Sequence, residues 1–147
     1  MPLAVNSPAP DFKAEDQNGT IHQLKDYHGK YLLLYFYPRD NTPGCTQEAC
    51  AFRDYFAALK DKVKIVGVSK DSVKSHTGFV SKYELPFTLL SDPEQKLIKA
   101  YGVDGIIFSK RSSFLIGPDG KIVQIYRTVK PMEHAQEVLK DMETLQG

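Results

Sequence analysis

An α/β sandwich, with a central mixed β-sheet flanked by helices and a β-hairpin near its N-terminus, is expected of this chain on three observations. Two near-continuous apolar runs rich in aromatic and β-branched residues, "KYLLLYFY" (30–37) and "KVKIVGVS" (62–69), read as central strands covered on both faces. Between them Cys45, Ala49, Phe52, Phe56 and Leu59 recur at helical spacing, so the three segments form a β-α-β unit. The chain has 147 residues, 41% of them apolar, which is one domain's worth (1–147) and enough to bury a core without staples.

The elements follow in chain order. "DFKAEDQNGTIHQL" sets Asn18-Gly19, the pair best suited to a type I′ turn, between two short segments and predicts a hairpin. The strand ending at Tyr37 is followed by a loop over Pro38–Gly44 and a helix over about 44–60. The strand 62–69 leads to a helix from Ser72 to Lys82, a short strand "PFTLL", and a helix near "PEQKLIKAYG" that Gly102 closes as a C-cap. "SSFLIGPDGKIVQIY" gives two strands joined through Pro118-Asp119-Gly120. "PMEHAQEVLKDMETL" is an amphipathic helix opened by Pro131. Mixed strands with helices on both faces and a late hairpin amount to a sandwich of the thioredoxin type.

Charge and segment composition exclude several classes of function. Nineteen basic residues against eighteen acidic leave a formal charge of +1, so the basic stripe of a nucleic-acid or anionic-membrane binder is missing. Small molecules and other proteins are the expected partners. "MPLAVNSPAPDF" lacks a basic n-region and an apolar stretch of signal length, and no apolar run approaches about 20 residues, so a soluble protein of the cytoplasm is expected. No interface motif stands out, and a monomer is expected. Two cysteines are too few for a disulfide scaffold, and a close pair in a reducing compartment points to catalysis, redox chemistry or a metal.

Both cysteines fall in "YFYPRDNTPGCTQEAC" (35–50), at the junction of strand, loop and helix. Cys45 is placed in the first helical turn, where unpaired backbone N–H groups and the positive end of the helix dipole favour a thiolate. Ionisation alone is a modest gain, about thirtyfold for a free cysteine brought from its usual pKa to full ionisation at neutral pH. The substrate must also be polarised by fixed donors. Thr42 offers a hydroxyl that can donate to an incoming oxygen, and Pro43 is placed to shield the sulfur from water.

The segment "FYPRDNTPGCTQEACAFRD" resembles the signature of peroxiredoxins, of the bacterioferritin comigratory protein or PrxQ group, in which P-x-x-x-T-x-x-C carries the peroxidatic cysteine. Here the motif is Pro38, Thr42 and Cys45. The resemblance extends through "DQNG", "GVSKDSVKSH", "LPFTLLSD" and "RSSFLIGPDGKI", nearly the whole chain in order. It implies a thioredoxin fold of the peroxiredoxin type, no cofactor, and reduction of hydrogen peroxide and organic hydroperoxides at a site built from Thr42, Pro43, Gly44 and Arg111. It also implies that Cys50 is the resolving cysteine, that a Cys45–Cys50 disulfide forms, and that thioredoxin or a similar dithiol protein reduces it. Arg39 stands where a lysine is commoner.

Other readings fit the same residues less well. A thioredoxin-type oxidoreductase needs two residues between its cysteines and "TQEA" supplies four; a cysteine phosphatase needs arginine six positions after Cys45, where Ala51 stands; a zinc site needs further ligands nearby. A peroxide-sensing switch that acts through a partner uses the same disulfide and stays open. Arg39 and Arg53 read as surface or ion-pair residues. His22, His28, His76 and His134 read as surface or capping residues without metal spacing, and Tyr35, Phe36 and Tyr37 as core and pocket wall. The spacing of the cysteines also implies movement. Five residues along a helix separate two Cα atoms by about 8 to 9 Å, beyond the roughly 7 Å a disulfide spans. The first turns must therefore unwind for the bond to form.

Overall fold

The computed structural model describes residues 3–105 and 110–146. Its strands are β1 (Lys13–Glu15), β2 (Ile21–Gln23), β3 (Leu32–Phe36), β4 (Lys64–Ser69), β5 (Thr88–Ser91), β6 (Ser112–Ile116) and β7 (Ile122–Tyr126). They form one sheet in the order β2-β1-β5-β4-β3-β6-β7. β3, β4 and β5 run parallel, β6 pairs antiparallel with β3, and β7 with β6. The helices are α1 (Pro43–Asp54), α2 (Phe56–Leu59), α3 (Val73–Tyr83), α4 (Lys96–Ala100) and α5 (His134–Gln146). This is the predicted α/β sandwich of the thioredoxin type. No helix among the described residues is long and apolar enough to cross a membrane.

The apolar run of β3 is continuous because both of its faces are buried. Leu33 and Tyr35, with Tyr37 just beyond, pack against Cys45, Ala49, Phe52, Phe79, Val138 and Met142. Leu32, Leu34 and Phe36 turn the other way, against Val66, Val68, Leu97, Ile98 and Tyr101. Gly67, opposite Tyr35 in the register, lets that ring lie flat on β4, since a Cβ there would stand 2.7 Å from both the Tyr35 ring and the Leu89 side chain. β6 ends its register at Phe36–Ser112, so Arg111, one residue further, reaches the end of β3 where the Pro38–Thr42 loop begins.

Four expectations change in detail. The hairpin turn is wider than type I′: only Gly19 has positive φ, because the Asp16 carboxylate accepts from the Asn18 and Thr20 N–H groups and holds a longer loop. The helix predicted over 44–60 breaks at Tyr55, whose N–H is shared between the carbonyls of Ala51 and Arg53, a tightening that an uninterrupted helix lacks. α5 begins at His134, so Pro131 lies in the turn before it. His76 and His134 are not surface residues, since both are buried with each ring nitrogen hydrogen-bonded.

Candidate active site

The loop from β3 to α1 is built to stop a strand and start a helix within a few residues. Pro38 follows the strand, Asn41 takes a left-handed conformation with φ 62°, and Thr42 is the extended N-cap before Pro43 at the first helical position. The Thr42 hydroxyl does not cap the helix. Nor is it the expected donor to an incoming oxygen, because its one hydrogen goes to the Arg39 carbonyl at 2.8 Å and only its lone pairs are left, as acceptors. Pro43 has no N–H, and the first bond back into this turn is Thr46 N–H to Thr42 O at 2.9 Å. The backbone N–H groups of Gly44 and Cys45 therefore have no partner within the helix, and they sit at its positive end.

Cys45 lies in this first turn with only 1% of its surface exposed. Arg111 meets it from β6: Nη2 donates to Cys45 Sγ at 3.3 Å, while Nη1 donates to Glu48 Oε1 at 2.7 Å. One guanidinium thus binds two groups of α1, as only a planar fork does. Burial works against the Arg111 cation, but Glu48 and Cys45 outweigh it and hold its pKa above the ordinary value. Gly44 makes the approach possible, because a Cβ there would stand 3.0 Å from Arg111 Nη2. Pro43 is exposed, and the proline beside Gly44 is Pro131, 3.8 Å from the same point. Cys50 is half-buried on another face of α1, and both cysteines are free thiols.

The sequence reading missed Glu48. Its side chain is fully buried, and burial raises its pKa to about 7 against the pull of Arg111. Its Oε2 and the Tyr35 hydroxyl are buried without a hydrogen bond among the described residues. The signal was present: a carboxylate three residues after Cys45 shares the helix stripe of Cys45, Ala49 and Phe52, where a charge has no reason to be unless it is paired. Of the predicted residues, Thr42, Gly44, Cys45 and Arg111 come together, with Pro38 at the head of the loop. Arg39 is exposed, and Arg53 bonds Asp54 and the Tyr83 carbonyl away from the sulfur.

Comparison with known proteins shows the family. The AhpC/TSA family model matches residues 5–125. Peroxiredoxin Bcp of Bacillus subtilis (strain 168) is 40% identical, over 99% of this chain and 98% of its own. The chloroplastic peroxiredoxin Q of Sedum lineare is 40% identical over 97% of this chain and 80% of its own. Among solved structures, a cysteine-to-serine variant of Xylella fastidiosa PrxQ superposes with a TM-score of 0.95 at 34% identity, covering 100% of this chain and 99% of that one. The bacterioferritin comigratory protein of Xanthomonas campestris gives 0.90 at 34% identity, over 99% and 98%. The chain belongs to the AhpC/TSA family, as a peroxiredoxin of the Bcp and Q group.

Proposed function

We propose that Cys45 is the nucleophile of a peroxidase that reduces hydrogen peroxide and organic hydroperoxides, and that Cys50 resolves the product. As a peroxiredoxin the chain is a thiol peroxidase. The observation that carries the assignment is the Arg111 fork, which fixes Cys45 at 3.3 Å beside backbone donors that the helix leaves unpaired. The alkyl peroxide reduction activity of the Xanthomonas campestris relative supports organic hydroperoxides as substrates.

The thiolate attacks the terminal oxygen of ROOH. The S–O bond forms as the O–O bond breaks, leaving cysteine sulfenic acid and an alkoxide that takes up a proton to leave as ROH. The Cys45 N–H and Arg111 stabilise the charge on the departing oxygen. With its own hydrogen committed to Arg39, Thr42 accepts the peroxide O–H and so aligns the O–O bond with the sulfur. The Cys50 thiol then displaces water from the sulfenic acid to give the disulfide, which keeps Cys45 from further oxidation. Thioredoxin or a similar dithiol restores both thiols by two exchange steps.

The test is a steady-state assay with thioredoxin, its reductase and hydrogen peroxide. Wild type is expected to consume many equivalents, Cys45→Ser none, and Cys50→Ser one, leaving a sulfenic acid that dimedone traps. One equivalent consumed by wild type, without turnover, means a sensor. Equal first-turnover loss in both variants removes Cys45 from its role.

A further inference from the structure

Asp40 is the buried post of an otherwise exposed turn. Arg39 and Asn41 on either side face solvent, whereas the Asp40 side chain is 1% exposed and that of His76 0%. Its carboxylate gathers three donors: the Tyr37 hydroxyl at 2.6 Å, the Ser75 hydroxyl at 2.8 Å and His76 Nδ1 at 2.7 Å. Its backbone N–H donates to Asp71 Oδ2 at 2.8 Å, and Ser69 donates to the same oxygen at 2.6 Å. His76 Nε2 lies 3.0 Å from the Leu90 carbonyl, which can only accept. The Leu90 carbonyl fixes a hydrogen on Nε2, and one proton bridges Nδ1 and the Asp40 carboxyl, so the ring is held on both sides. Asp40, Asp71 and His76 form a compact set of potential metal ligands. Their facing atoms are already engaged by Tyr37, Ser69, Ser75 and the Asp40 N–H, so the cluster works as an anchor without a cation.

The anchor ties β3, β4, β5 and α3 to the residue two positions before Thr42 and five before Cys45. We infer that Asp40 and His76 are a positioning pair, which presents Thr42 to the peroxide and stays closed while α1 unwinds. This rests on the peroxidase reading above. Thr42 orients its hydroxyl through Arg39, next to Asp40, so loosening Asp40 misplaces the acceptor that aligns the peroxide. Arg111 and the cysteine reach each other from elements the anchor does not touch, so sulfur reactivity survives. Misplacement of a reacting group by about 1 Å costs up to about a hundredfold in rate.

The experiment uses the full chain in a Cys50→Ser background, where only the first step is read. His76→Phe keeps a ring and removes both hydrogen bonds. Its rate with hydrogen peroxide is expected to fall at least about tenfold, while alkylation of Cys45 by iodoacetamide stays within about twofold. Asp40→Asn, which can still accept from Tyr37 and donate to a neutral His76, is expected to lose distinctly less. A peroxide rate for His76→Phe within threefold of its parent overturns the inference, and so does a parallel fall in both reactions. If the parent itself consumes no peroxide, the peroxidase reading fails instead. Should His76→Phe not fold, amide exchange of the wild type decides: the Asp40 N–H is expected to stay protected in the disulfide form while residues 46–50 lose protection, and loss at Asp40 overturns the pair's role.

Discussion

Oxidation of the cysteine pair should melt the start of α1. Cys45 and Cys50 lie on one uninterrupted helix, the first buried at 1% exposure in the core cluster and the second half-exposed on a different face. Helix geometry keeps their Cα atoms about 8 to 9 Å apart, and a disulfide needs about 7 Å or less with converging side chains. Opening from Cys45 to Cys50 forfeits roughly five backbone hydrogen bonds at about 1 kcal/mol each, plus part of the burial of Cys45 and Ala49. The reduced helix therefore resists opening by about 5 kcal/mol or more, a protection of about three to four orders of magnitude. In the disulfide form that protection should vanish. Hydrogen exchange with mass spectrometry on peptides covering 43–54, in both redox states, measures it directly. Equal protection in a sample whose Cys45–Cys50 bond is confirmed by mass would refute the reasoning.

Two further predictions concern the pocket. Gly44→Ala puts a Cβ 3.0 Å from Arg111 Nη2 and should displace the guanidinium by about half an ångström. Alanine favours a helix by up to about 1 kcal/mol over glycine. The melting temperature should hold or rise while peroxide attack slows about tenfold, and an unchanged rate would show that this gap does not hold Arg111. In stopped-flow measurements Thr42→Val, which removes the acceptor that aligns the peroxide, should slow the first step by up to about a hundredfold, and Arg111→Met, which removes a donor, by about a hundredfold; a rate within threefold of wild type removes that residue from the mechanism.

The sheet was legible because its central strands are apolar on both faces, a pattern that few other placements satisfy, and the site because Cys45 sits where a strand, a proline-rich loop and a helix meet. Other features depend on contacts between distant segments. The type I′ turn lost to the Asp16 side chain, a local competitor that the Asn18-Gly19 pair conceals. His76 looked like a surface residue because its partners, Asp40 and the Leu90 carbonyl, are 36 and 14 positions away. Arg111 could be named only through a family resemblance, since nothing in "KRSSFLI" says that β6 lies beside β3. Glu48 was overlooked for the opposite reason: its helix spacing was visible, and its burial follows only once the arginine is known to meet it.

That burial makes the helix start sensitive to pH. Glu48 faces Arg111, Cys45 and Tyr35, and burial raises its pKa from 4.5 to about 7 in the ordered form. Unwinding returns it to water and to its ordinary value, so the ordered helix binds more protons than the open one between those two limits. Its contribution to stability is complete below about 4.5 and is lost as pH rises through about 7, a difference of order 3 kcal/mol. Arg111 cannot remove the effect, because its pull is already included in that shift. In the reduced protein, amides of residues 46–50 should lose more than tenfold of their protection between pH 5 and pH 7, once intrinsic exchange rates are divided out. Glu48→Gln keeps the size of the side chain, does not titrate, and should flatten the profile. An equally steep profile in that variant would place the titrating group elsewhere. If Glu48 is the group, its ionisation near neutrality loosens the turn that must open, so the carboxylate that holds Arg111 on the sulfur also lowers the cost of bringing Cys50 to Cys45.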